Sequence, residues 1–172
     1  KLVDVNPNSS MYEQEISSLE FVNASPEKVS AWYFGHSTWG FCSSQFGLLQ
    51  EMQDDFDGQG LPIQILGVNE TGYESGNESV VDGRDLPWLQ DTEDVNAWDL
   101  WEVAYRDVFV VDEQGLLRYR LNLTLEDLSN PENYQNLTDI IVGLTEDEDW
   151  TTYGSILIEI VRRCTPSACP PP

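Results

Sequence analysis

Residues 28–68 constrain the fold more than any other part of the chain. Lys28 to Phe34 is a short β-prone run closed by Gly35, the pattern of a buried central strand. From Phe41 onward the apolar residues Phe46, Leu49, Met52 and Phe56 recur at spacings of three and four, which is one face of a helix. The turn Asp57-Gly58-Gln59-Gly60 stops it, and Leu61 to Val68 reads as a second strand with alternating apolar residues. A strand, a helix and a strand in that order form a βαβ unit. Its strands run parallel and are joined by a right-handed crossover, so an α/β sheet follows.

The remaining elements extend that unit. Val95 to Tyr105 is expected to be helical, with Trp98, Trp101 and Val103 or Ala104 as its apolar side. Asp107–Val111 and Leu116–Leu121 read as a hairpin turning through Asp112-Glu113-Gln114-Gly115. Asn133–Leu144 is amphipathic, with Leu137, Ile140, Ile141 and Leu144 facing inward. Residues 1–27 look like a polar, turn-rich arm around Asn6-Pro7-Asn8, and Asn69 to about Glu93 looks irregular. An acidic run, Glu146 to Asp149, precedes the β-branched stretch Ser155–Val161. The domain expectation is therefore one domain over 1–144 and a C-terminal extension over 145–172. The extension would add an edge strand to its own sheet or to a neighbour's, so self-association through terminal strands is the expected partnership.

Charge and sequence motifs bear on compartment. The chain has 31 acidic against 8 basic residues, a net charge of −23. Such a surface repels nucleic acid and anionic membranes, so no nucleic-acid partner is expected. No apolar run approaches the ~20 residues needed to span a bilayer. The start at Lys1 without a hydrophobic leader is read as a mature secreted chain. Asn-x-Ser/Thr triplets occur six times, at Asn8, Asn23, Asn69, Asn77, Asn122 and Asn136. About one is expected by chance for this composition, which points to an extracellular chain with N-linked glycans. Cys164 and Cys169 sit in the Pro-rich end, where a short-loop disulfide suits an oxidising compartment and two free thiols are the alternative.

Tyr33-Phe34-Gly35-His36-Ser37-Thr38-Trp39-Gly40-Phe41-Cys42 resembles the strand end and active loop of thioredoxin-like redoxins. The similarity is to the branch of thiol-specific antioxidant and thiol–disulfide exchange proteins, including secreted bacterial members. The opening Asp4-Val5-Asn6-Pro7 and the hairpin Phe109-Val110-Val111-Asp112-Glu113-Gln114-Gly115 match the same pattern. The resemblance covers roughly Leu2 to Leu144. It implies an α/β, thioredoxin-like three-layer sandwich with a mixed central sheet, carrying an N-terminal arm and an extra β-prone tail. It also implies a nucleophilic cysteine three residues before Cys42, where this chain has Trp39, and a cis-proline near Tyr105, Arg106 or Asp107, where there is none. The family's first thiol works because a helix N-terminus lowers its pKa and a second thiol resolves the mixed disulfide. An indole does neither, so Trp39, Gly40, Phe41 and Cys42 read as a degenerate active loop.

The chemical options are few. Cys42 could act as a lone thiol activated by His36, or be the buried partner cysteine the resemblance implies, with His36 a loop or core histidine. The acidic stretches at Asp54–Asp57 and Asp91–Asp94 lack EF-hand spacing and read as solvated loops, and no cofactor is called for. Trp88, Trp98 and Trp101 read as core, and Trp39 as a plug or contact anchor at the old cleft. The first functional expectation is a non-enzymatic, redox-inactive structural or self-assembling extracellular subunit. A monothiol oxidoreductase or peroxidase using Cys42 is the second. A binding module for a partner, glycan or calcium is the third.

Overall fold

The computed structural model describes residues 1–18, 21 and 28–146. The expectations for Asn23, the Ser155–Val161 tail and the Cys164–Cys169 pair lie outside the described residues. The elements are β1 (Leu2–Asp4), β2 (Glu15–Ile16), β3 (Val29–Gly35), α1 (Gly40–Gln59), β4 (Ile63–Asn69), α2 (Asn77–Val81), β5 (Trp88–Gln90), α3 (Ala97–Leu100), β6 (Asp107–Val111), β7 (Leu117–Asn122) and α4 (Pro131–Glu146). They build one mixed seven-stranded sheet of order β2-β1-β5-β4-β3-β6-β7.

The βαβ unit forms as expected. β3 and β4 pair in parallel from Val29↔Ile63 to Gly35↔Asn69. α1 ends at Gly60, whose φ of 69° is the left-handed turn that glycine adopts at least cost. Alternation along β3 sends Ala31 and Tyr33 to one face and Trp32 and Phe34 to the other. The first face buries Phe46, Leu49, Met52 and Phe56 of α1 with Leu137, Ile141 and Leu144 of α4. The second buries Leu66, Val68, Phe109 and Val111 against Ile16, Phe21, Ala97 and Trp98. Both faces of the sheet are covered, which gives a thioredoxin-like α/β architecture.

Three expectations are corrected. The N-terminal segment is not only a polar arm: β1 enters the sheet antiparallel to both β2 and β5. Buried Asp4 makes this work, its Oδ1 accepting from the Asn6 and Trp88 amides at 2.9 and 3.0 Å. The stretch after Asn69 is not wholly irregular, since it contains α2 and the sheet strand β5. Tertiary burial of Trp88 and Leu89 overrides the weak local signal there. The helix expected over Val95–Tyr105 shrinks to Ala97–Leu100, because Asn96 and Glu102 take positive φ values of 48° and 50° and bound it. The predicted final helix gains two residues at each end, Pro131–Glu146 instead of Asn133–Leu144.

Candidate active site

The site lies where β3 gives way to α1. Parallel register sets Gly35 opposite Asn69, so Asn69 Oδ1 accepts the Ser37 amide at 2.9 Å and holds the loop. Asn69 is fully buried and its Nδ2 donates to Asn77 and Gln90. The Ser37 hydroxyl donates to the Tyr73 carbonyl. Gly76 closes the same contact: a Cβ there would come within 2.5 Å of the Ser37 carbonyl carbon.

Trp39 is the N-cap residue of α1, with φ −102° and ψ 119° and no side-chain cap bond. Its amide donates to the His36 carbonyl, and its own carbonyl accepts the Ser43 amide, the first bond of the helix. Trp39 and Phe41 are partly exposed, at 38% and 39%. Cys42, in the first helical turn, is a free thiol with no exposed surface. Behind it the buried Tyr33 hydroxyl donates to the Cys42 carbonyl at 3.2 Å. Burial holds the Tyr33 phenol well above its usual pKa, and the neighbouring Cys42 pushes the same way.

His36 is not paired with Cys42. Its ring lies between Tyr73, stacked at 4.0 Å, and Trp98, stacked at 5.1 Å, with the Trp39 edge at 4.6 Å. Nε2 meets the Glu70 carboxylate, and Nδ1 is buried without a hydrogen-bond partner. Burial lowers the His36 pKa; Glu70 opposes this and Arg106 reinforces it. Desolvation by the surrounding rings outweighs the carboxylate, so the neutral imidazole is favoured. The contacts of His36 are those of a packed loop histidine and not of a base for Cys42: the aromatic sandwich turns it toward β4 and Glu70.

The loop before β6 completes the site. Among the described residues no peptide is cis, and Arg106 occupies that corner with a positive φ. Its amide donates to the Phe34 carbonyl at 2.8 Å and its carbonyl accepts the Leu123 amide at 2.9 Å. The guanidinium carbon sits 4.3 Å from the Phe41 ring centre, 5.0 Å from Tyr105 and 5.9 Å from Trp39. Sequence reasoning considered Arg106 only as a missing proline. It named Tyr105 in the same way and did not find Glu70 or Tyr73, which carry no spacing signal of their own.

The other sequence expectations sort by burial. Trp88 and Trp98 are core residues. Asp91 is not solvated as expected: it is buried and its carboxylate accepts the Ala97 and Trp98 amides at 3.0 and 3.1 Å. Among the described residues no group of three or more His, Cys, Asp or Glu is placed to hold a metal. Asn136 is exposed on α4, Asn8 is exposed, and Asn77 and Asn122 are half-buried with their amides hydrogen-bonded. Among the described residues no helix is long and apolar enough to cross a membrane.

No family model and no curated protein matches the sequence. Solved structures do match the fold. A crystal structure of a thioredoxin-like superfamily protein aligns with TM-score 0.62 and 13% identity, over 86% of this chain and 96% of that one. A disulfide isomerase candidate from Bacteroides thetaiotaomicron aligns with TM-score 0.56 and 15% identity, over 73% and 79%. A DsbE-type thiol:disulfide interchange protein from Chlorobium tepidum aligns with TM-score 0.53 and 14% identity, over 68% and 84%. These likenesses to thiol–disulfide exchange proteins overturn two expectations: that the chain is a redox-inactive structural or self-assembling subunit, and that it is no enzyme. By its strand order, its loop and these neighbours, the chain is a thioredoxin-like protein in fold.

Proposed function

We propose that this chain is a single-thiol disulfide-exchange protein that reacts through Cys42. The observation that carries the reading is a free cysteine in the first turn of the helix that follows the central strand of a thioredoxin-like fold. The thiolate is the reactive form of a cysteine. The fold neighbours named for disulfide isomerisation and interchange support the same class of chemistry.

The reaction balances with one protein thiol. The Cys42 thiolate attacks one sulfur of a substrate disulfide. A bond forms between Cys42 and that sulfur, the substrate S–S bond breaks, and the second sulfur leaves as a thiolate that takes up the proton Cys42 gave up. A second, external thiol then attacks the mixed disulfide, bonds to the substrate sulfur and returns Cys42 with its electrons. Cys42 shows no net change, and the external thiol supplies the reducing equivalents. Because the sulfur is buried, attack requires the first turn of α1 to open. That opening must break the bond from the Tyr33 hydroxyl to the Cys42 carbonyl, while the Trp39 side chain adds no cap bond to resist it.

The extracellular setting belongs to the same proposal. Disulfide exchange fits an oxidising compartment, and N-linked glycans at the exposed sequons fit it too. Exchange of a fluorescent disulfide, followed with native protein and Cys42→Ser, tests the function. Turnover is expected only with Cys42 present.

A further inference from the structure

We propose that Arg106 is a specificity-determining residue of this site, selecting disulfides and thiols that carry a carboxylate close to the sulfur. This deepens the exchange reading and rests on it for the chemistry, though not for the binding.

Four described arginines have distinct surroundings. Arg118 pairs with Asp112 and Arg120 with Asp107 at 2.7 Å, and the Arg84 guanidinium donates to the carbonyls of Val80 and Ser43. Arg84 lies over Phe46 and Arg120 over Phe109, whereas Arg106 faces three rings, those of Phe41, Tyr105 and Trp39, beside the loop that carries Cys42. Among the described residues the Arg106 guanidinium makes one hydrogen bond, from Nη1 to Thr124 Oγ1 at 3.2 Å. Its Nε is enclosed with no acceptor, and no carboxylate pairs with it among the described residues. In a chain with 31 acidic residues, a guanidinium left without a carboxylate at the reactive loop is a specific arrangement.

The geometry suits anion recognition. Phe41 immediately precedes Cys42, so a group held by Arg106 lies beside the reactive turn. Three rings crowd the guanidinium, and an arginine fork donates to a carboxylate through two parallel bonds. Aromatic neighbours exclude water and strengthen such a contact. The net charge of −23 opposes approach of an anion from a distance. That field is screened beyond about 8 Å at physiological ionic strength, whereas a contact at hydrogen-bond distance is not. Trp39, Phe41 and Tyr105, all partly exposed, supply apolar surface for the carbon atoms between carboxylate and sulfur.

The test compares dithiodiglycolate, an anionic disulfide, with the neutral bis-hydroxyethyl disulfide on native protein, Arg106→Gln and Arg106→Lys. The expected result is a loss of about tenfold in the exchange rate with the anionic disulfide for Arg106→Gln, a smaller loss for Arg106→Lys, and little change for the neutral one. An anionic-to-neutral ratio untouched by Arg106→Gln overturns the proposal. If neither disulfide reacts with native protein, the exchange reading fails, and calorimetry with (methylthio)acetate, which has a carboxylate one carbon from its sulfur but no disulfide, decides the binding. Weakening of about tenfold in Arg106→Gln then upholds anion recognition. Absent binding, or equal binding by the two proteins, refutes it.

Discussion

The imidazole of His36 lies flat on the phenol ring of Tyr73, their centres 4.0 Å apart and their planes 2° from parallel. This contact fixes the loop that leads from β3 into α1. It also spends the only histidine of the chain on packing and on Glu70, leaving Cys42 without a neighbouring base.

The stacking has a pH signature. The His36 pKa is lowered in the fold by burial, so the unfolded chain takes up the proton first. Stability then falls as pH drops below about 6.5, the ordinary histidine value, and levels once the folded pKa is passed. Thermal melts of native protein and His36→Gln between neutral and mildly acidic pH check this. The slope in this window is expected to be shallower in the variant.

Trp39→Cys should convert the loop into a dithiol. Position 39 caps α1, where the helix N-terminus lowers a thiol pKa below about 8.5. The variant is expected to form a bond between residues 39 and 42 and to reduce insulin about tenfold or more faster than native protein, since a resolving thiol replaces the external one. Titration of thiolate absorbance and an insulin turbidity assay measure both effects.

Gly67 lies under Trp88, and a Cβ there would meet the indole at 2.1 Å and Phe46 at 2.8 Å. Gly67→Ala is expected to cost about 1–3 kcal/mol through overpacking. Denaturant unfolding at neutral pH should show this as a lower midpoint with an unchanged slope.

Sequon occupancy should follow exposure. In material from a secretory host, peptide mapping is expected to find glycan at Asn136, which is exposed on α4, and none at Asn69, whose amide is buried in the Ser37–Asn77–Gln90 network. Glycan on Asn69 in folded protein would contradict this.

The parts of the fold legible in the sequence are those with strong local periodicity. Phe46, Leu49, Met52 and Phe56 announce α1, and Ile63 to Val68 announces β4, because one face of each is buried without interruption. β1 and β5 are short, and their pairing depends on Asp4 reaching the Trp88 amide across the chain, which no window of sequence contains. The helix before β6 is shortened by Asn96 and Glu102, whose left-handed backbone no apolar spacing announces. At the site, Trp39 and Cys42 are visible as neighbours in a motif. Glu70 and Tyr73 come from the loop after β4, and Tyr105 and Arg106 from the loop before β6, two segments brought to Trp39 by sheet register.

The central claim is that Cys42 exchanges disulfides. Intact mass of native-state protein in a Cys164→Ser, Cys169→Ser background, incubated with bis-hydroxyethyl disulfide and then with a thiol, tests it directly. One mixed-disulfide adduct, absent after Cys42→Ser and removed by the added thiol, is the expected result. No adduct without denaturant, or an adduct that persists after Cys42→Ser, would contradict the account.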